Sequence, residues 1–276
     1  MGVFSFRKAA SGRFFLYTVS MSWASKRRFI VFSILGAIVV ALLASVAIAI
    51  FYDAPSCRDN KQNQDEEGID CGGTSCTYLC SVGVQKPSTR FVRPFAPAAG
   101  RTDVIAYIDN PNMNAAAKGG HFTIELYGTD GTVLARKQGT VDLPPASTVP
   151  VYVPNFVSGY IEVARAFVSY DEPTFKWFRY TDNRIVPTYN NDAEVTGTQA
   201  PRITASLTNP SAKALRDVLV IATVFDSAGN AIAATQTVAP TIPAQGTATV
   251  VFIWNEPFST LPARVDVVPI VPLPSP

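Results

Sequence analysis

Residues 29–52, FIVFSILGAIVVALLASVAIAIFY, contain no charged residue and no proline. As an α-helix rising about 1.5 Å per residue, the run reaches about 36 Å, enough to cross a hydrocarbon core of about 30 Å with some tilt. A buried core helix is disfavoured, because such helices rarely stay apolar on every face over this length. The rival reading is a cleaved signal peptide, with SVA and AIA as candidate cleavage sites, although the apolar part of a signal is usually only about 7 to 15 residues. The run therefore predicts a single transmembrane helix over 29–52 and a basic segment over 1–28.

The flanks of the run set its expected orientation. Lys26, Arg27 and Arg28 abut one end, whereas Asp53 and Pro55 follow the other, so the positive-inside rule puts the N-terminus in the cytoplasm and residues 53–276 outside it. Tyr52 and Trp23 stand where interfacial aromatic anchors belong. Met21 opens MSWASKRRF, itself a plausible translation start, which would make the first twenty residues an artefact. The formal net charge of +2 conceals an asymmetry: residues 1–28 carry six basic side chains and no acid, leaving 17 basic against 21 acidic ones in the rest. Nucleic-acid binding needs basic density on the folded part, so that class of partner is set aside.

All four cysteines, Cys57, Cys71, Cys76 and Cys80, fall within 24 residues just after the apolar run. On the oxidising side of a membrane they predict two disulfides in a module over 53–82, with three pairings open. Zinc is the competing reading, but the spacing lacks a C-x2-C knuckle. The same stretch, CRDNKQNQDEEGIDCGGTSC, offers hard oxygen ligands at Asp59, Asn63, Asp65, Glu66 and Asp70, with Gly68, Gly72 and Gly73 permitting tight turns. Calcium is the candidate cofactor. A solvated acidic loop held by disulfides accounts for the same residues.

The string Cys57-x-Asp59-x-x-x-Asn63-x-Asp65-Glu66-x-Gly68-x-Asp70-Cys71-Gly72-Gly73-x-x-Cys76 resembles the short cysteine-rich C-x-D-x-x-x-N-x-x-E-x-G-x-D-C-G-G-x-C repeat of bacterial envelope proteins, with one extra residue between Gly73 and Cys76. The resemblance implies an extracytoplasmic disulfide module, with calcium as its candidate stabiliser, and no catalytic role.

Beyond residue 85, runs such as HFTIELYG, VPVYV, DVLVIATVF and ATVVFIW alternate with Gly, Pro, Asn and Asp, an all-β pattern with hairpin signals at GTDGT and DSAGN. A shift of 98 residues superposes Tyr127 on Phe225, Gly131 on Gly229, Leu134 on Ile232, Pro145 on Pro243 and Ala146 on Ala244. One residue of slack pairs AYIDNP at 106–111 with ASLTNP at 205–210. Two copies of one domain are expected, over 83–185 and over 186–276 with a Pro-rich tail. Each reads as an Ig- or fibronectin-like sandwich, and the whole chain as mainly β. FTIELYGTDGTVLARKQGTVDLPPAST resembles the FxLYD-type β-sandwich domain, carried by Phe122, Leu126, Tyr127, Gly131, Val133 and Leu134 and more loosely by Phe225, Asp226, Gly229 and Ile232. That family implies extracytoplasmic, often membrane-tethered proteins and no activity.

Little in the chain points to catalysis. The single histidine, His121, opens a strand without a local acidic partner, and no G-x-S-x-G, S-x-x-K, H-E-x-x-H or phosphate loop occurs, so an enzyme is not expected. In YDEPTFKWFRYTDNR, Phe175, Trp177 and Tyr180 form a candidate recognition edge for peptide or glycan, against the alternative that they bury in the first sandwich or its seam. The sequence thus predicts an N-in, single-pass cell-membrane protein that presents sandwiches to envelope proteins or glycans. Surface adhesion, or an accessory role beside an envelope enzyme, is the alternative.

Overall fold

A computed structural model describes residues 4–5, 17–18, 22–52, 56–63, 65–159 and 162–276. The alternative start at Met21 and the flanking residues Asp53 and Pro55 lie outside the described residues. The chain divides into two units, Met1–Ala54 and Pro55–Pro276.

In the first unit two short strands, β1 (Phe4–Ser5) and β2 (Tyr17–Thr18), pair antiparallel. The helix α1 spans Trp23–Phe51, starting six residues before the uncharged run because Ser22 caps it: the Ser25 amide donates to Ser22 Oγ at 3.4 Å. Among the described residues it is one helix long and apolar enough to cross a membrane, with a mean hydropathy of 2.9 over its most apolar 18 residues and no buried residue.

The second unit is built of antiparallel strands. The first sandwich joins the sheet β3 (Ser88–Ala98), β4 (Arg101–Asn110), β7 (Ser147–Ser158) to the sheet β6 (Val133–Leu143), β5 (Ala115–Tyr127), β8 (Arg165–Asp171), with β9 (Trp177–Arg179) pairing the start of β5. In the second, β12 (Arg202–Thr208) lies between β15 (Thr247–Ile253) and the short β10 (Thr188–Tyr189) and β11 (Glu194–Thr196). Its other sheet runs β14 (Ala231–Ile242), β13 (Leu215–Phe225), β16 (Arg264–Ile270). Counting β10 and β11 as one split strand, both sandwiches follow the order first-second-fifth and fourth-third-sixth.

The likeness extends to single hydrogen bonds. Asn110 Nδ2 donates to the carbonyls of Ala115, Leu143 and Pro144, and Asn209 Nδ2 to those of Lys213, Ile242 and Pro243. Ala146 and Gln245, each left-handed at φ 46° and 49°, close the same turn by donating to Asn112 O and Ser211 O. The offset between the halves is 98 at the hairpin, where Gly131 and Gly229 share φ 80°, but 99 at the asparagines and this turn. Pro144, not Pro145, is therefore the counterpart of Pro243, and Gln245, not Ala244, that of Ala146. The second half carries one more residue between hairpin and turn.

Alternation puts Val104, Ala106 and Ile108 of β4 into the first core with Phe122, Ile124 and Leu126, and Val220, Ala222 and Val224 of β13 into the second with Phe252 and Trp254. The opposite faces are buried as well. Ile105, Tyr107 and Tyr152 meet Ile221, Phe225, Ala231 and Ala234 in a third apolar layer, so four sheets stack with β4 and β13 covered on both sides. This explains why DVIAYI and VLVIATVF are continuous apolar runs rather than alternating ones. Asp103, fully buried, closes the edge of this layer: it is held by the Arg101 guanidinium through two 2.7 Å bonds, by the Tyr152 hydroxyl and by the Asn155 amide.

Candidate functional site

The cysteine module has its pairing fixed as Cys57–Cys76 and Cys71–Cys80, an interleaved arrangement that leaves no free thiol. A thiolate zinc site is thereby replaced by covalent cross-links. Closing a loop of this size contributes roughly 3 kcal/mol through the unfolded chain, which suits a segment too small and polar to build a core.

The acidic residues act as acceptors for backbone N–H groups in the turns. Asp70 takes the amides of Asp59 and Asn60; Asp59 takes the Lys61 amide and the Asn63 side chain. Asp65 Oδ2 accepts from the Thr74 hydroxyl, the Thr74 amide and the Ser75 amide, which together hold its carboxyl well below the usual carboxylate range. Glu66, almost fully buried, accepts from the Asn63 amide at 3.1 Å. Gly73 makes room for this: at φ 68°, a Cβ there would lie 2.1 Å from Asp65 O.

Calcium requires six to eight oxygens converging on one point. Here Asp59, Asp65 and Asp70 are committed to different sets of donors. Among the described residues, the ligand-type atoms that gather within 4.8 Å are those of Cys57, Glu66 and Cys76, and the two sulfurs are bonded to each other. The carboxylates of Asp59, Asp65 and Asp70 are thus not in such a gathered group among the described residues, and Glu66 is the one sequence-named oxygen donor that is.

The aromatic segment is also placed differently from a recognition edge. Phe175 and Trp177 are 5% and 6% exposed, stack at 6.2 Å and belong to the first core, while Tyr180 is half-buried against Phe178. Lys176 and Arg179, which stand among them in sequence, are exposed. His121 is exposed; its amide donates to Thr174 Oγ1.

A cleft that sequence reasoning missed lies beside the seam. It has a volume of about 530 Å³ and is walled by Val149 and Val151 of β7, Leu219 and Ile221 of β13, and Val268 and Ile270 of β16. Its two charged lining residues are internally paired: Asp142 accepts from the Gly119 and Leu273 amides, and Arg184 is held by Asp182 and Val271 O. The volume is within the roughly 300–1,000 Å³ of small-ligand sites, which favour domain interfaces. The doubly apolar strands were the available signal for the seam, and hence for its edge.

No family model matches the chain, and no curated protein matches it. Among solved structures, a transglutaminase of red sea bream aligns over 67% of this chain and 29% of that protein, at 14% identity and a TM-score of 0.21. The chain spans less than a third of that enzyme, and a likeness at this score carries no argument about chemistry.

Proposed function

We propose that this chain is a single-pass, N-in membrane protein that holds a disulfide-stapled module and two copies of one β-sandwich outside the cytoplasm, as a scaffold for cell-envelope components. The observation that carries the reading is the order of parts. A 29-residue apolar helix with no buried face is followed directly by a module whose four cysteines are all oxidised, which suits an oxidising compartment. The likeness of CRDNKQNQDEEGIDCGGTSC to an envelope-protein repeat, and of the sandwiches to the FxLYD type, supports the same placement.

Scaffolding is preferred to adhesion through an aromatic edge because Phe175 and Trp177 are core residues. The seam cleft favours a second use, the seating of a partner's apolar segment. External protease added to intact cells making the full chain tests the topology. Cleavage within 56–276 that spares the N-terminus is expected; complete protection until lysis would overturn it. Cross-linking from the sandwiches in intact membranes tests the role, and recovery of the chain without any envelope component would sink it.

A further inference from the structure

Strand β9 is only three residues long, yet two distant segments of the chain dock on it. From the N-terminal side, the Leu79 amide donates to Trp177 O at 2.8 Å, Tyr78 bridges Phe178, and Arg179 donates to Gly73 O at 3.1 Å and lies 3.5 Å from Glu67. From the C-terminal side, Leu273 packs its side chain against Phe178 and Ala116 and is 2% exposed. β9 itself is held in its sheet by pairing with Ala115–Ala117.

Residues 271–276, VPLPSP, are the Pro-rich tail of the sequence. Their prolines do prevent a continued ladder, but the extended form is what lets one side chain reach back across the seam. Three further contacts hold it there. The Leu273 amide donates to Asp142 Oδ2 at 2.8 Å, the same carboxylate taking the Gly119 amide; Arg184 binds Val271 O; Lys118 Nζ is 3.4 Å from Ser275 Oγ. Val271 and Pro272 also wall the cleft, so the tail shapes the cleft as well as tying the sandwiches together.

We infer that residues 271–276 are an intramolecular latch, coupled through β9 to the cysteine module. Phe178 is the shared element: its side chain forms Leu273's socket, and its backbone lies in the bridge to Tyr78. Displacing Leu273 removes packing from one flank of β9 and so weakens the dock of the module on the other. Linkage requires the converse with the same factor.

The test is amide hydrogen exchange on the full-length chain in lipid nanodiscs, comparing Leu273→Asp, Arg179→Gln and the parent. Leu273→Asp is expected to speed exchange about tenfold or more in 271–275 and at Gly119, and to speed it measurably in 72–80. Arg179→Gln, which touches the module but not the tail, is expected to speed exchange in 271–275. Should Leu273→Asp unfold the first sandwich, seen as uniform loss of protection in β4, Asp142→Asn takes its place, since it weakens the tail without entering the core. Faster exchange confined to 271–275 in the tail variants, or an unchanged tail in Arg179→Gln, overturns the coupling.

Discussion

The Tyr107 hydroxyl donates a 2.9 Å hydrogen bond to Thr223 Oγ1 across the seam, with both residues buried. It joins the second strand of one sandwich to the third strand of the other, inside an apolar layer that includes Phe91, Phe225 and Ile221. Thr223→Val keeps the shape and removes the acceptor, leaving a buried hydroxyl unpaired, so about 1–3 kcal/mol of stability is expected to be lost in urea denaturation. The double variant Tyr107→Phe/Thr223→Val is expected to recover part of that, because neither partner is then left alone.

The same tyrosine sets an alkaline limit. Burial pushes the Tyr107 hydroxyl up to about 12 from an ordinary value of 10.0, and burial together with Asp103 pushes Tyr152 upward as well. A folded-state value above the unfolded one means that the stability these groups provide is complete below pH 10 and is lost as pH rises through the folded value. Unfolding followed by tyrosinate absorbance as pH rises above the ordinary value of 10.0 should show this loss, reduced in Tyr107→Phe.

Asn110 and Asn209 each gather three carbonyls from two chain segments and are 2% and 0% exposed. Replacing either with alanine strands those acceptors in the interior, at an expected cost of about 2–4 kcal/mol, above the roughly 1–3 kcal/mol of a single unsatisfied group. Asn→Asp, which presents oxygens to oxygens, should cost more. Denaturation of the two single variants should give similar values, since the sites share geometry.

Much of this architecture was legible because it rests on local periodicity. An uncharged run, clustered cysteines and turn-punctuated strands report helix, disulfides and sandwich directly. The offset of 98 matches the hairpin glycines Gly131 and Gly229 but misses the following turn by one residue, and the slip at Pro144 arose because a compensated insertion leaves turn composition unchanged. What was hidden depends on non-local packing. Nothing in YDEPTFKWFRY separates an exposed aromatic edge from a core lining, since Phe175 and Trp177 alternate with charges in either case. The seam was encoded in DVIAYI and VLVIATVF, but a run buried on both faces does not name what covers it. The docking of Leu273 had no local signal at all.

Glycine positions in the first core make a sharper demand. A Cβ on Gly120 would lie 2.2 Å from Phe175 Cε1, and one on Gly139 would lie 2.5 Å from Phe122 Cζ. Phe175 is enclosed by Tyr170 and Trp177, with centroids at 5.9 and 6.2 Å, and cannot swing away freely. Gly120→Ala is therefore expected to lower stability by about 1–3 kcal/mol through overpacking, read from thermal or urea unfolding.

The cysteine module should open in acid by way of Asp65. Hydrogen bonds from the Thr74 hydroxyl, the Thr74 amide and the Ser75 amide favour its ionised form, so its carboxyl titrates well below the ordinary value of 3.8. A depressed folded-state value means that the contribution is complete above the unfolded value and is lost as pH falls through the folded one. Reduction by a phosphine, which still acts in acid, reports how readily the Cys57–Cys76 and Cys71–Cys80 bridges become accessible. The rate is expected to rise as pH drops below 3.8 in the parent, and to be raised but flatter with pH in Asp65→Asn. A calcium chelator is expected to leave both profiles unchanged, because these carboxylates are spent on backbone donors rather than converging on an ion. A chelator-dependent shift would favour the calcium reading of Asp59, Asn63, Asp65, Glu66 and Asp70.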